Sequence, residues 1–172
     1  MITFPRIDVL AACAKYGQML QLDPSLSGPV VMAAISSNES SIGANCGPRH
    51  EPVYDVGGGV YNGNADQRGL VDQFGAEAAM SYGPWQLMFI NCSGWTPTEL
   101  NSDLDANAKA FVAFFNHYVI GTRHAKTLSE IGQVWNGGHI FTGNILSGVQ
   151  AYVDKLQSAY ADLESSFTAS SV

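Results

Sequence analysis

The sequence predicts a mainly α-helical domain that carries one small β-hairpin insertion. Two observations lead to this fold class. Apolar residues recur with the 3.6-residue period of a helix toward both ends of the chain. Between these segments lies a glycine-rich stretch that contains short β-type pieces. A chain of 172 residues is large enough to bury a core, so we expect a single domain over residues 1–172.

The N-terminal part of the chain predicts two helices. Residues 5–20 have an amphipathic pattern, and the segment QLDPSLSGP that follows is typical of a turn. Pro29 suits the first turn of a second helix, about Val30 to Ser41. This helix is apolar nearly all round, so we expect it to be buried. Residues 1–28 are assigned to the N-terminal helix and turn.

The insertion is expected at about residues 47–80. Two β-type pieces, PVYDV and GVYN, are joined by glycines and predict a hairpin. A short helix is expected over Leu70–Ala79. The next segment, SYGPWQLMFINCSGW, is predicted to mix turns with buried residues.

The C-terminal half predicts three further helices. Asp103 to Ile120 follows the helical period behind a capping residue. Thr127 to Glu130 has the spacing of a capping box and begins a helix that reaches Trp135 and ends at the two glycines after Asn136. The last helix is expected over about Ile145 to Phe167. Residues 29–164 then form the core, and 165–172 form a frayed tail.

Composition and charge argue against several functions. The net charge is −7 and the pI is about 4.8, with no basic stripe to neutralise the phosphates of a nucleic acid. No apolar run is long enough for a membrane span, and the N-terminus lacks the basic start of a signal peptide. Cys13, Cys46 and Cys92 show no metal-binding spacing. Either Cys46 and Cys92 pair, or all three are buried thiols. No cofactor or metal is expected.

Glu39 is the most unusual residue of the sequence. The stretch AAISSNESSIGANC places this carboxylate in the last turn of the buried second helix. The negative end of the helix dipole and the apolar surroundings both raise the pKa of a carboxyl group, which suits a general acid. The alternative is that Glu39 caps a backbone amide or pairs with Arg49.

Three other stretches supply groups for a cleft. SYGPWQLM places Gln86 in a glycine turn between aromatic residues, and VWNGG places Asn136 beside Trp135 at a helix end. Tyr152 lies on the inner face of the last helix. Amides and flat aromatic rings beside a buried acid suit a sugar chain that carries N-acetyl groups.

Taken in order, these motifs resemble those of the lysozyme-like lytic transglycosylases, the group of the soluble lytic transglycosylases and goose-type lysozymes. The matching residues are Glu39-Ser40, Gly83-x-x-Gln86-Leu87-Met88, Trp135-Asn136-Gly137-Gly138 and Tyr152. The resemblance covers about Val30 to Leu156 and implies an α+β lysozyme-like fold. The segment from Ser81 to Gln86 looks most like phage-encoded and virion-associated wall-degrading proteins.

The sequence departs from the family pattern at two places. Glu39 and Gln86 lie 47 positions apart (86 − 39), where the family has a short loop, so we expect an enlarged cleft wall. Trp135 stands where a tyrosine is usual. We expect Trp135 to stack on sugar but to lose any hydrogen bond that a tyrosine hydroxyl would make.

The resemblance also implies a mechanism. Glu39 would protonate the β-1,4 glycosidic oxygen between N-acetylmuramic acid and N-acetylglucosamine, and would then act as a base while a 1,6-anhydro ring closes. Ser40 would lie near the acid and Tyr152 would donate a hydrogen bond toward it. The expected substrate-binding residues are Ser40, Gln86, Trp135, Asn136 and Tyr152, with Gln86 and Asn136 binding sugar substituents or backbone. The backbone of Met88 and Phe89 would line the cleft.

Three alternatives stay open at this point. In a hydrolytic muramidase, a second carboxylate would position a water, the candidates being Asp55, Asp66, Asp72 and Glu77. A catalytically silent glycan-binding or virion structural domain would fit Trp135 and the acidic balance. A glycosidase of chitin-type polymers is the third alternative.

Partners and location follow from the same resemblance. The expected partner is the peptidoglycan glycan strand, with proteins of a phage particle or a secretion machine as further candidates. The site of action would be the bacterial cell wall or periplasm, reached from a virion or from the host cytoplasm. The four histidines are expected to be structural or at the surface, namely His50, His117, His124 and His139.

Overall fold

The computed structural model describes residues 3–169 and is mainly helical, with three short strands. The α-helices are α1 (Arg6–Tyr16), α2 (Gly28–Ser40), α3 (Gly59–Gly63), α4 (Ala65–Phe74), α5 (Pro97–Ser102), α6 (Leu104–Phe114), α7 (Leu128–Gly137) and α8 (Ser147–Ala169). The strands are β1 (Arg49–His50), β2 (Met80–Tyr82) and β3 (Leu87–Met88). The predicted fold class, mainly α with a small β element, is confirmed.

Helix α2 is the centre of the core, as its apolar sequence predicts. Its side chains from Val30 to Ile35 are almost completely buried. Helix α8 packs along α2 and also against α7, and α1 packs against α2 and α6. Burial of a helix on all sides removes apolar surface from water at about 25 cal/mol per Å², so α2 is the element around which the other helices assemble.

The small sheet lies elsewhere than the sequence predicts. Strand β2 pairs antiparallel with both β1 and β3, with Ser81 opposite Arg49 and Met88. The predicted strands PVYDV and GVYN are wrong, because Pro52–Tyr54 forms a 3₁₀ turn and the second piece forms α3. Proline cannot donate to a strand ladder. The partner of β1 therefore comes from the far end of the insertion.

Helix boundaries in the middle of the chain also differ from the predicted ones. The helix predicted over Leu70–Ala79 begins earlier, at Ala65, because the Asn64 side chain accepts hydrogen bonds from two backbone amides of its first turn. It ends at Phe74, and a 3₁₀ turn spans Gly75–Ala79. Helix α5 was not predicted, although Thr96 and Glu99 form a capping box at its start.

The C-terminal helices follow the sequence more closely. The predicted cap Asp103 and the predicted Thr127–Glu130 capping box are both present. The helix predicted to reach Ile120 widens after Phe114 into a π-helix, Phe115–Thr122. Helix α8 continues to Ala169, through the start of the tail predicted to be frayed. The remainder of that tail lies outside the described residues.

Two further expectations concern the core and membranes. No disulfide joins Cys13, Cys46 and Cys92, which are all buried, so the alternative of buried thiols is confirmed. Burial raises the pKa of Cys92 to about 12. Within residues 3–169, no helix has the length and apolar character needed to cross a bilayer.

The turn between β2 and β3 is held tightly against the helices. Trp85 is fully buried, and its indole N–H donates to the backbone oxygen of Met32 in α2 over 2.9 Å. Gly83 has a φ of +72°, and a Cβ at this position would overlap the side chain of Asn107 in α6. A residue with a side chain therefore meets both backbone strain and a clash at Gly83.

Replacement of Gly83 should measurably destabilise the fold. For Gly83→Ala we expect the free energy of unfolding in urea to fall by about 3 kcal/mol, from positive-φ strain together with overpacking. Gly148→Ala is the matched control, because Gly148 has open space around its Cβ position. Equal stability of Gly83→Ala and the wild type would contradict this account of the turn.

Candidate active site

Glu39 lies in the last turn of α2, where the sequence predicts it. The helix ends because Ser41 and Ile42 both adopt φ values of +54°, and their amides donate back to the oxygens of Ser37 and Ser36. This reversal is typical of a helix C-terminus. The Glu39 side chain is only 12% exposed, so the carboxyl group is enclosed by protein.

Two donors from separate helices meet on one oxygen of Glu39. Trp135 Nε1 in α7 donates to Glu39 Oε1 over 3.0 Å, and the Tyr152 hydroxyl in α8 donates to the same oxygen over 2.8 Å. The other oxygen, Oε2, lies 3.9 Å from Arg49 Nη1. The expected loss of a hydrogen bond at Trp135 is wrong, because the indole N–H supplies a donor.

Burial raises the pKa of Glu39 above its ordinary value, as predicted. The hydrogen bonds from Tyr152 and Trp135 and the charge of Arg49 act in the opposite direction, because they stabilise the carboxylate. The alternative interpretation was that Glu39 pairs with Arg49, and the two side chains do make a contact, at 3.9 Å. Arg49 is closer to Glu51, with 2.6 Å between Nε and Oε1.

A groove is lined by Trp135, the residue whose indole donates to Glu39, whereas Glu39 and Tyr152 are not among its lining residues. It has a volume of about 430 Å³, and we call it the active groove. The lining residues of the active groove include Gln86, Met88, Trp135 and Asn136, together with Tyr54, Asn91, Phe114 and Tyr118. Asn136 is exposed, and its amide makes no hydrogen bond to any residue that the structure describes. The sequence-predicted residues Gln86, Trp135 and Asn136 thus share one surface.

Two predicted substrate-binding residues, Ser40 and Gln86, make hydrogen bonds within the protein. Ser40 is 2% exposed, and its hydroxyl lies 2.8 Å from the oxygen of Pro84 and accepts from the amide of Gly43. The predicted contact of Ser40 with substrate is therefore wrong. Instead, the Ser40 hydroxyl joins the β2–β3 turn to α2.

Gln86 is also engaged by the protein. Its side-chain amide donates to the oxygens of Gly83 and Gly47, at 2.9 and 3.4 Å, and accepts from the Ser81 hydroxyl over 2.9 Å. Both N–H groups are used in this way, so the amide binds backbone, one of its two predicted partners, and contact of Gln86 with sugar stays a prediction. With a φ of +46°, Gln86 braces the turn at the edge of the active groove.

Glu51 is the residue near the site that the sequence interpretation missed. Its carboxylate contacts Arg49 and accepts from the Ser81 hydroxyl over 3.3 Å, and its charge contributes to the raised pKa of Glu39. Glu51 directly follows β1 with extended backbone. Residues two apart in extended backbone share a face, so a correctly placed β1 would have indicated that Arg49 and Glu51 lie side by side.

The four carboxylates proposed from sequence do not contact Glu39. Asp55 pairs with His50 over 2.8 Å, and Asp66, Asp72 and Glu77 are exposed. All four histidines are exposed, consistent with the predicted surface positions. In the described part of the chain, no group of three or more His, Cys, Asp and Glu side chains could hold a metal ion.

Tyr118 joins the π-helix to the end of α7 at this groove. Its hydroxyl donates to the oxygen of Gly138 over 3.0 Å and accepts from Arg123 Nη2 over 2.7 Å. Tyr118 falls within the helix predicted over Asp103 to Ile120, in the part that forms the π-helix, and it lines the groove. No sequence period indicates a π-turn.

No protein-family model, curated protein or solved structure matches this chain.

The buried carboxyl group should make stability depend on pH. The folded protein raises the pKa of Glu39 above the ordinary value of 4.5. Ionisation of Glu39 is therefore less favourable in the folded than in the unfolded protein. The resulting loss of folding stability grows as the pH rises from the ordinary pKa through the folded pKa. Glu39→Gln should therefore be more stable than the wild type at neutral pH and lose this advantage in acid. Urea unfolding over a pH series measures the difference.

Glu77→Gln is the control for this measurement, since it removes an exposed carboxylate elsewhere in the chain. A stability difference between Glu39→Gln and the wild type that stays constant across the pH series, or grows in acid, would contradict the raised pKa.

Proposed function

We propose that this chain is a peptidoglycan lytic transglycosylase that uses Glu39 as its single acid and base. It would cleave the β-1,4 bond between N-acetylmuramic acid and N-acetylglucosamine and leave 1,6-anhydromuramic ends. One observation carries the proposal, namely the enclosed Glu39 carboxyl, whose donor Trp135 also lines a groove together with the open amide of Asn136. It would act in the bacterial cell wall or periplasm, in association with a phage particle or a secretion machine.

The acid step uses Oε2, the Glu39 oxygen that accepts no hydrogen bond from a residue in the described range 3–169. Oε1 of Glu39 accepts from both Trp135 and Tyr152, so the proton of the neutral acid belongs on Oε2. Burial favours this protonated form. Transfer of the proton to the glycosidic oxygen breaks the bond to the anomeric carbon as positive charge develops there.

The base step uses the carboxylate that remains. The two donors on Oε1 stabilise its charge, and the Tyr152 hydroxyl stays protonated because burial raises its pKa well above the ordinary value. Glu39 then accepts the proton of the muramic 6-hydroxyl while that oxygen bonds to the anomeric carbon. The acid is regenerated, a 1,6-anhydro ring closes, and no water is consumed.

Digestion of purified sacculi tests the proposal. The wild type should release muropeptides that are one water lighter than hydrolytic products, detected by mass spectrometry. Glu39→Gln should reduce the rate at least about 100-fold, because it removes the general acid, whereas the control Glu77→Gln should retain it.

Release of no product by the wild type, with Glu39→Gln indistinguishable from it, would overturn the proposal. Binding to sacculi without turnover would then favour a silent glycan-binding or virion structural domain. Cleavage of chitooligosaccharides in place of sacculi would favour the chitin alternative.

Glu51 favours a second candidate function, hydrolysis of the same bond. A second carboxylate that shares Arg49 with Glu39 is the kind of group that activates a water in an inverting glycosidase. Its contacts with Arg49 and Ser81 equally allow a supporting role. The two functions differ in the mass of the product.

Glu51→Gln separates these roles. If ring closure is the reaction, anhydro products should persist at a rate within about tenfold of the wild type. The basic limb of the pH–rate profile should move to lower pH, because the Glu51 charge raises the pKa of Glu39. Loss of water-containing products in this variant would instead identify Glu51 as the base of a hydrolase.

A further inference from the structure

We propose that a distal saccharide-binding site lies at Trp95, where it holds further sugar rings of the strand that is cleaved at Glu39. This inference rests on the proposed function. The site is a groove of about 630 Å³, larger than the active groove, between α4 and the segment that follows β3. We call it the distal groove, and its wall includes Phe74, Ile90, Ser93 and Trp95.

The distal groove is linked to the active groove through shared lining residues. A middle groove of about 430 Å³ lies between them. It shares Asn91, Phe114 and Tyr118 with the active groove. It shares Ile90, Ser93 and Trp95 with the distal groove. A single ligand site typically occupies about 300–1,000 Å³, so three joined grooves suit a polymer.

The chemistry along this path matches a neutral carbohydrate. Trp95, Phe114 and Tyr118 are partly exposed aromatic side chains, whose faces can cover sugar rings. Asn91 and Ser93 are exposed between them, and their side chains make no hydrogen bond to a described residue. Asp66 is the one charged residue among those that line the described distal groove. Amide, hydroxyl and ring faces in succession fit N-acetylated sugars.

Binding of short and long oligosaccharides tests the distal site. The probes are the trimer and hexamer of N-acetylglucosamine, titrated calorimetrically into Glu39→Gln so that no turnover occurs. The hexamer should bind about tenfold more tightly than the trimer, because the longer chain reaches Trp95. Trp95→Ala, added to Glu39→Gln, should remove this advantage and leave trimer binding unchanged.

A second variant guards against misfolding, since Trp95 also packs on the core. Ser93→Arg adds bulk to an exposed position between the middle and distal grooves and should have the same effect as Trp95→Ala. Leu146→Ala, which is 64% exposed and lines none of the three grooves, is the control and should behave as the parent.

Equal affinity for trimer and hexamer, absence of binding by both, or a hexamer advantage that survives both variants would overturn the distal site. Cleavage of sacculi by the wild type decides the proposed function separately. The distal site can therefore fail while the proposed function stands.

Discussion

The candidate site depends on the two hydrogen bonds that converge on Glu39 Oε1. Trp135 and Tyr152 come from α7 and α8, and Glu39 comes from α2, so one carboxyl oxygen joins three helices. Helix α8 packs against both of the others, which fixes the positions of the donors. Because a buried carboxyl group without partners is costly, this convergence stabilises the fold and orients the acid at the same time.

The small sheet supplies the other side of the site through the β2–β3 turn. Trp85 anchors this turn on α2. Ser40, the residue after Glu39, donates a hydrogen bond to the backbone of the turn. Gln86 then holds Ser81, whose hydroxyl also reaches Glu51. The motif residues around the turn therefore act mainly by fixing the groove wall, and the groups left open to a ligand are neighbours such as Asn136.

The sequence predicts the long helices α1, α2, α6, α7 and α8 and the position of Glu39 well, because these depend on local patterns. Apolar runs, caps and the helix-terminal carboxylate are all visible within a few residues. The sheet was misplaced because β1 pairs with a strand some thirty positions away, and Gly–Val–Tyr composition fits a short helix as well as a strand. Glu51 was missed for the same reason, since its approach to Arg49 and Ser81 depends on that non-local pairing.

Roles of individual polar residues were harder to predict than their positions. Gln86 and Trp135 do line one groove, yet nothing in the sequence shows that the Gln86 amide is used by Ser81 and two glycine oxygens. The Trp135 indole was expected only to stack, although its N–H binds the acid. A motif indicates which residues lie near one another. The hydrogen bonds within the protein then determine which of their polar atoms stay available to a ligand.

The net negative charge of the chain affects contact with the proposed substrate less than its size suggests. The net charge is −7, and a cell wall is itself anionic, so the whole molecule is repelled at long range. That repulsion is screened within about 8 Å at physiological salt. The residues that line the active groove are all uncharged, and the neighbouring charges of Arg49 and Glu51 oppose each other. A glycan backbone of hydroxyl and amide groups therefore meets a neutral surface where it would bind, and the acidic residues influence the approach of the wall far more than the contact itself.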